Sequence, residues 1–248
     1  MQVVIESRGP VKVVRLARPE KKNALTAEMY DALTGAFRDA AADDAVRVLL
    51  LIGAPGVFTA GNDLSDFLQH PPAGEESPVF RFLSVLTKFE KALVAAVDGP
   101  AVGIGTTLLL HCDLVVAATG ARFQLPFVKL GLVPEAASSY LLPRLAGMQR
   151  ASEWLLLGEP FSAAEAHAAG LVNRVVAAEV LEQTAMALAE ALAARPPEAL
   201  RLSKQLIRGP RAAEVKAVMD KESALFVERL ASDEAREAFL SFLSKKKG

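Results

Sequence analysis

A glycine-bearing turn reads Gly99-Pro100-Ala101-Val102-Gly103-Ile104-Gly105, and an earlier one reads Phe58-Thr59-Ala60-Gly61-Asn62-Asp63-Leu64. Each turn follows a short apolar run typical of a buried strand, and each leads into a helical pattern. The start of a helix leaves backbone N–H groups without partners, and glycine lets a ligand or another backbone approach closely. The two turns could therefore hold two N–H donors towards one point, as an oxyanion requires. Either turn alone is also common as a nucleotide site or as a plain tight turn.

The turns belong to a repeated alternation of strand-like and helix-like segments. Up to about residue 55 the pattern predicts strand, strand, helix and strand, with Thr26 as N-cap and a buried strand over 46–52. The next unit has a helix over about 78–91 and a strand over 93–97. A third unit ends in a strand over 114–117. Repeats of this size favour an α/β fold in which helices connect parallel strands.

After Phe123 the pattern becomes mostly helical. Ser162-Ala163-Ala164-Glu165 predicts a capping box whose helix ends at Gly170, and 171–176 could form a last strand. From about residue 178 only helices are predicted, with breaks at Pro196-Pro197 and Gly209-Pro210. We therefore divide the chain into a core over 1–195 and a C-terminal helical region over 196–248, which we expect to dock on the core or on another subunit.

Composition limits the classes of partner. The 248 residues are 52% hydrophobic, and the formal net charge of −1 gives no reason to expect nucleic acid as a partner. The single cysteine, Cys112, lies in an apolar stretch, so we expect a buried, inert thiol and a reducing compartment. No signal peptide or membrane span is evident, which favours a cytoplasmic protein that acts on a small molecule.

Glu135 is the most informative titratable residue. It stands in the apolar segment Leu132-Val133-Pro134-Glu135-Ala136-Ala137, where a helix is predicted to begin. A first-turn glutamate is favoured by the helix dipole, and that is the simpler interpretation. The functional interpretation is a general base, because burial raises the pKa of a carboxyl group towards neutrality. Asp63 is expected to be only an N-cap. The histidines show no metal-ligand spacing and no legible catalytic triad.

Taken together, these segments resemble the crotonase superfamily, the enoyl-CoA hydratase/isomerase fold, over nearly the whole chain. The order and spacing of the matching pieces carry the resemblance. They are Arg18-Pro19-Glu20-Lys21-Lys22-Asn23-Ala24-Leu25, the two glycine-bearing turns, Cys112-Asp113, the segment from Phe123 to Pro134, and Ala163–Val172.

The resemblance implies a spiral of ββα units, a C-terminal helical trimerisation region and an acyl-CoA thioester as substrate, with homotrimers or dimers of trimers. By position, the family's two oxyanion amides fall on Asn62 and Ile104. The substrate and CoA would contact a further set of residues, and no metal or redox cofactor is implied. That set is Ala60, Gly61, Gly103, Phe127, Lys22 and Lys245.

Two departures from the family pattern bear on the chemistry. Hydratases of the family use two glutamates to activate water, and those positions read Thr107 and Phe127 here. Pro134-Glu135 and the two turns instead resemble the peroxisomal-type Δ3,Δ2-enoyl-CoA isomerases, in which a single base sits where Glu135 sits. The resemblance therefore favours such an isomerase. A hydratase or another crotonase-type enzyme is the alternative, and a non-catalytic binding module on the same scaffold is a third.

Overall fold

The computed structural model describes residues 2–74 and 76–245, apart from the side chains of residues 242, 243 and 245. Within these residues the strands form one sheet of six strands and one of three. The strands are β1 (Val3–Arg8), β2 (Val11–Leu16), β3 (Val48–Ile52), β4 (Ala92–Val97), β5 (Pro100–Val102), β6 (Leu114–Ala118), β7 (Arg122–Gln124), β8 (Phe161–Ser162) and β9 (Arg174–Val176).

Helices fill the intervals between the strands and make up the C-terminal part. Short 3-10 turns connect several of them, and a π-helical turn covers Glu153–Leu157. The α-helices are α1 (Ala27–Ala42), α2 (Leu64–Gln69), α3 (Pro78–Thr87), α4 (Ile104–Thr107), α5 (Ser138–Ala146), α6 (Met148–Ser152), α7 (Ala163–Ala168), α8 (Leu181–Ala193), α9 (Pro197–Arg208), α10 (Ala212–Leu230) and α11 (Asp233–Lys245).

The larger sheet has the strand order β1-β2-β3-β4-β6-β9. The hairpin β1-β2 is antiparallel, and the other neighbours are parallel. The smaller sheet has the strand order β5-β7-β8, and its first strand follows directly after β4 in the chain. The predicted α/β class, with helices connecting parallel strands, is confirmed.

Both faces of the larger sheet are buried, which explains the continuous apolar runs of its central strands. On one face, Leu49 of β3 and Leu93 of β4 are register partners in the main core, which also includes residues of α1 and α3. On the other face, Leu50 and its partner Val94 belong to a second core. Helix α8 covers that face with alanines at helical spacing, Ala185, Ala189 and Ala193.

Three predicted elements begin later or end earlier than expected. In each case the residues at the predicted end form hydrogen bonds of a turn and not of the helix or strand. The N–H of Val46 donates to Asp43 in a turn, so β3 starts at Val48. The helix predicted over 78–91 ends at Thr87, before the chain turns into β4. The amides of residues 171 and 172 both donate to the carbonyl of Ala166 at the end of α7, so β9 starts only at Arg174.

The predicted helix caps are confirmed. Thr26 accepts a hydrogen bond from the N–H of Met29, and Ser162 forms the full capping box with Glu165. Asp63 caps α2 through the amides of residues 65 and 66, and it also pairs with Arg18 at 2.7 Å. Caps satisfy amides that the first helical turn leaves free.

The C-terminal helices dock on the core through charged contacts as well as apolar ones. Lys204 and Arg208 of α9 both pair with Asp113, at 2.7 and 2.9 Å. Cys112 precedes Asp113 in the chain, and burial raises the pKa of its thiol to about 12. The thiol is therefore protonated at neutral pH. The division of the chain into a core over 1–195 and a C-terminal helical region over 196–248 stays a prediction.

Candidate active site

The two glycine-bearing turns are paired with each other. The N–H of Thr59 donates to the carbonyl of Pro100, and the N–H of Val102 donates back to Thr59, both at 3.0 Å. Gly61 has φ +84°, and a Cβ there would lie 2.7 Å from the carbonyl oxygen of Val102. A side chain at Gly61 is therefore excluded both by its backbone conformation and by the close approach of the second turn.

Asn62 and Ile104 present their backbone amides from these paired turns. In the parallel bridge between Leu25 and Asn62, the hydrogen bonds use the carbonyl of Gly61 and the N–H of Asp63. This pattern leaves the N–H of Asn62 unused. Ile104 is the first residue of α4, where an N–H has no acceptor within the helix. Among the described residues neither amide donates to the protein, so both are available to a ligand.

Gly103 immediately precedes Ile104, and its φ of +56° turns the chain into α4. Its own N–H donates to the carbonyl of Gln124 at 2.8 Å, so the turn is held from the side opposite the first turn. The orientation of the Ile104 amide is therefore fixed by backbone hydrogen bonds on both sides of the turn.

Tyr30 of α1 supports the first turn, a role that local sequence patterns do not indicate. Its hydroxyl donates to the side-chain oxygen of Asn62, and the tyrosine is 1% exposed. Burial raises the pKa of Tyr30 well above its usual value, and the charge of Glu135 raises it further. The phenol is therefore neutral and lies near Glu135. In the sequence, Tyr30 is one more large residue on the buried face of an amphipathic helix.

Glu135 is buried, with 5% of its surface exposed. Thr107 donates its hydroxyl hydrogen to Oε1, whereas Oε2 has no partner among the described residues. Burial raises the pKa of Glu135 to about 8, the charge of Glu222 contributes in the same direction, and the hydrogen bond from Thr107 opposes the rise. A carboxyl group with such a pKa exchanges protons near neutral pH, as a general acid or base must.

Glu135 does not lie in the first turn of a helix, so that simpler interpretation is wrong. Helix α5 begins at Ser138, and Ala136 and Ala137 both have left-handed backbones, with φ of +56° and +55°. Alanine rarely adopts this conformation, and each such residue costs on the order of 1 kcal/mol or more. A strained segment therefore presents the carboxyl group.

His111 contacts the strained segment that follows Glu135. Its Nε2 lies 2.8 Å from the carbonyl oxygen of Ala136. A carbonyl oxygen only accepts, so Nε2 carries the hydrogen. Burial lowers the pKa of His111 to about 4, which keeps the ring neutral at physiological pH. The histidine thus has a structural contact to the segment of Glu135 that the sequence did not reveal.

The residues expected to contact CoA are only partly brought together. Lys22 has an exposed side chain, and its carbonyl accepts a hydrogen bond from the N–H of Ala60 at 2.8 Å, so the two residues are neighbours. The buried Asn23 ties this loop to the first turn by donating to the carbonyls of Val57 and Phe58. The side chain of Lys245 lies outside the described part of the chain.

Phe127 is buried in the main core, with 5% of its surface exposed. Its carbonyl accepts a hydrogen bond from the N–H of Leu132 at 2.8 Å, which starts the segment that leads to Glu135. Contact between Phe127 and a substrate stays a prediction.

Features of two other kinds of site, metal centres and membrane spans, are not found in the described residues. They contain no group of three or more His, Cys, Asp or Glu residues placed to hold a metal ion. Between residues 2 and 245, with residue 75 left out, no helix combines the length and the apolar character needed to cross a bilayer.

The chain is similar over nearly its whole length to known proteins of one family. A sequence family described as enoyl-CoA hydratase/isomerase matches residues 6–248. Enoyl-CoA delta isomerase 2 of Rattus norvegicus is 37% identical over 250 residues, which is 98% of this chain. This chain spans only 64% of the length of that relative. The 1,2-epoxyphenylacetyl-CoA isomerase of Escherichia coli K12 is 39% identical, with 95% of this chain and 93% of the other covered.

A solved structure agrees with these similarities. Pseudomonas aeruginosa OdaA superposes with a TM-score of 0.95 and 45% identity, and 97% of this chain and 98% of that chain are covered. Similarity of this extent covers nearly the whole fold.

Proposed function

Because the chain belongs to the enoyl-CoA hydratase/isomerase family, we propose that it moves the double bond of a 3-enoyl-CoA to the 2-position, with Glu135 as the single acid/base. The resemblance to the crotonase superfamily and its fold, expected from the sequence, is confirmed by the family match and by the superposed structure. The single observation that carries the proposal is the buried carboxyl group of Glu135, whose Oε2 has no partner in the described part of the chain and whose pKa burial raises to about 8.

The proposed reaction needs only one proton carrier. Ionised Glu135 removes a proton from C2 of the thioester, and the electron pair moves into a dienolate whose negative charge lies on the thioester oxygen. The same carboxyl group then returns a proton at C4 while the double bond forms between C2 and C3. Substrate and product are isomers, and the carboxylate is regenerated, so no other reactant is consumed.

The two free amides supply the stabilisation of the dienolate. In the proposal the N–H groups of Asn62 and Ile104 donate to the thioester oxygen, where charge develops. Fixed donors of this kind contribute about 3 to 4 kcal/mol each in comparable oxyanion holes. Gly61 and Gly103 allow the thioester to approach both turns without a side chain in the way.

The surroundings of Glu135 support an isomerase over a hydratase. By the resemblance, the positions of the two water-activating glutamates are occupied by Thr107 and Phe127. The hydroxyl of Thr107 is committed to Glu135, and Phe127 is apolar. These side chains cannot hold a nucleophilic water as two carboxylates would, and a dry site keeps the dienolate from being quenched.

Other isomerisations of an acyl-CoA form a second candidate function. The similarity to 1,2-epoxyphenylacetyl-CoA isomerase covers nearly the full length of both chains, which favours this candidate. By its name, that enzyme also rearranges a CoA thioester without gain or loss of atoms. A non-catalytic binding module is less well supported, since binding alone requires neither a buried, partly unpaired carboxyl group nor two free amides.

We also propose where CoA binds and how the chains associate. The exposed Lys22 beside Ala60 would pair with a phosphate of CoA, with Lys245 as a second candidate and Phe127 beside the acyl group. CoA would enter as part of the substrate, with no separate cofactor. Homotrimers, or dimers of trimers, are proposed from the resemblance.

The first test is an assay of purified protein with 3-hexenoyl-CoA and, separately, with crotonyl-CoA. Chromatography would follow the 2-enoyl product and the hydrated product. Isomerisation without hydration is expected. Hydration of crotonyl-CoA would contradict the assignment and mean that another residue activates water. Inactivity with both would redirect the search to a specialised acyl-CoA, with 1,2-epoxyphenylacetyl-CoA tried first.

The second test is Glu135→Gln, with Glu179→Gln at an exposed position as its matched control. Loss of the acid/base should lower kcat by about 100- to 10,000-fold. Binding of the 2-enoyl-CoA product, measured by calorimetry, should stay nearly unchanged. Retained activity in Glu135→Gln would remove this residue as the base.

A further inference from the structure

A second buried glutamate lies on the other side of the segment that carries Glu135. Glu222 belongs to α10, and only 6% of its surface is exposed. Its carboxylate accepts hydrogen bonds from the N–H of Ala137 at 2.6 Å, from the N–H of Ser139 at 3.0 Å and from the hydroxyl of Ser139. Both carboxylate oxygens are thus used, and all three donors belong to the residues that follow Glu135.

Through these contacts Glu222 acts as the N-terminal cap of α5, although it lies far away in the sequence. Helix α5 begins at Ser138, and the residue before it, Ala137, has no side-chain oxygen to cap the first amides. Glu222 supplies the acceptor instead. A carboxylate at a helix N-terminus also interacts favourably with the helix dipole. The left-handed backbones of Ala136 and Ala137 are thereby held in place.

His111 binds the same segment one residue before Ala137, by donating a hydrogen bond to the carbonyl of Ala136. Glu135 is therefore followed by a carbonyl and two amides that are each bonded to a buried side chain from another element. Strained backbone of this kind persists only where its surroundings over-determine it. Without Glu222, the segment could relax towards ordinary helical or extended conformations, and the carboxyl group of Glu135 would move.

We propose that Glu222 is a positioning residue for Glu135: by capping α5 from the C-terminal helix α10, it fixes the strained segment that aims the base at C2 of the substrate. The inference rests on the proposed function for the identity of the reaction. The positioning itself rests on the contacts to Ala137 and Ser139.

Electrostatics add a second, independent signature of this arrangement. The groups that act on Glu135 are Thr107 from α4, Tyr30 from α1 and Glu222 from α10, while His111 is neutral. The charge of Glu222 raises the pKa of Glu135. The pKa of Glu222 is itself raised by burial, although its three hydrogen bonds oppose the rise. A variant that removes the charge of Glu222 should therefore lower the pKa of Glu135.

The test compares Glu222→Gln, Glu222→Leu and Glu228→Gln, the last being an exposed glutamate of the same helix. Leucine removes both acceptors, and a displacement of the base by about 1 Å should lower kcat about 100-fold, with KM changed far less. Glutamine keeps one acceptor and removes the charge, so we expect a smaller loss of kcat and a pH profile whose midpoint moves to lower pH. Glu228→Gln should match the wild type.

Two measurements separate positioning from a purely structural role. The melting temperature reports folding, and carbon-13 NMR of protein labelled at the glutamate carboxyl carbon reports the titration of Glu135, whose signal is absent in Glu135→Gln. If Glu222→Leu fails to fold, Glu222→Gln decides through its pH midpoint. An unchanged kcat or an unchanged Glu135 titration in Glu222→Gln would overturn the proposal, as would losses of kcat that only follow the unfolded fraction.

The NMR titration also distinguishes failure of this inference from failure of the proposed function. It needs no turnover, so it applies even if the wild-type protein does not isomerise 3-hexenoyl-CoA. A midpoint for Glu135 near 8 in the wild type, and lower in Glu222→Gln, would support the coupling of Glu222 to Glu135 that the positioning requires, whatever the substrate. An identical midpoint in both proteins would overturn it.

Discussion

Thr107 donates its hydroxyl hydrogen to Oε1 of Glu135, and both side chains are buried. By the resemblance, Thr107 occupies a position where hydratases of the family carry a glutamate. In this chain position 107 therefore places a hydroxyl group, and not a second carboxylate, beside the proposed base. It stabilises the ionised form of that base, because a hydrogen bond to a carboxylate favours the charged state.

The first prediction concerns Thr107→Val, which keeps the shape of the side chain and removes the hydroxyl. Without this hydrogen bond the pKa of Glu135 should rise above its value of about 8. Since the base acts when ionised, the midpoint of the kcat/KM profile should move to higher pH. Activity near neutral pH should fall about 10-fold, because one pKa unit corresponds to a tenfold change in the ionised fraction.

A suitable control is Thr87→Val, since the hydroxyl of Thr87 donates to the carbonyl of Leu83 in α3, away from the site. Its pH profile should match that of the wild type. An unchanged midpoint in Thr107→Val would contradict the stabilisation of ionised Glu135 by Thr107 or the dependence of the rate on that ionisation.

The second prediction concerns Tyr30→Phe, which leaves the side-chain oxygen of Asn62 without its donor. Asn62 is half-buried, so its unpaired acceptor should cost about 1 kcal/mol, and the first turn should loosen around the Asn62 amide. We expect kcat to fall about 10-fold or more, with little change in KM, because the amide acts mainly on the charged intermediate.

A double-mutant cycle isolates this contact. In Asn62→Ala the backbone N–H is retained but the partner of Tyr30 is gone, so adding Tyr30→Phe should change kcat little further. Strictly additive effects of the two substitutions would contradict the coupling of Tyr30 to the turn.

The third prediction concerns stability against pH in Glu135→Gln. The unfolded chain ionises Glu135 near its ordinary pKa of 4.5, whereas the folded protein does so only near 8. Between these values the folded state binds more protons, so the contribution of Glu135 to the free energy of unfolding falls as pH rises from about 4.5 to 8. Glutamine does not titrate. The variant should therefore become progressively more stable than the wild type over this range, by up to about 5 kcal/mol.

Urea unfolding of both proteins at about pH 5 and about pH 9 checks this result, since the other titrating groups are common to both and cancel in the difference. A stability difference that is constant between the two conditions would show that Glu135 is already ionised in the folded protein at the lower pH.

Local sequence patterns predict most of the helices and strands, the helix caps and the two glycine-bearing turns. The apolar runs of β3 and β4, the caps at Thr26, Asp63 and Ser162, and the two glycine-bearing turns could all be recognised from neighbours a few positions apart. These features depend on backbone geometry that nearby residues dictate. Glu135 was also recognised locally, as a carboxyl group in an apolar segment.

The supports of the site could not be predicted, because they come from distant parts of the sequence. Tyr30 reaches Asn62 across 32 residues, and Glu222 reaches Ala137 across 85. The left-handed backbones of Ala136 and Ala137 have no local cause, since alanine disfavours that conformation. They follow from contacts that exist only after α10 and His111 have packed against the segment, so the sequence pattern predicts the start of α5 too early.

The last prediction concerns self-association through the C-terminal region. Helix α9 exposes Leu202, Leu206 and Ile207, with 44%, 78% and 76% of their surfaces accessible. Adjacent exposed apolar residues of this kind favour an interface. We expect light scattering to give a mass about three times the 26.4 kDa of one chain. The double variant Leu206→Ser, Ile207→Ser should shift the protein towards monomer, because the interface loses apolar surface worth about 25 cal/mol per Å². Ile5→Ser, an exposed apolar residue on β1, is the control and should leave the mass unchanged. A wild-type protein that stays monomeric at every accessible concentration would contradict the proposed trimer.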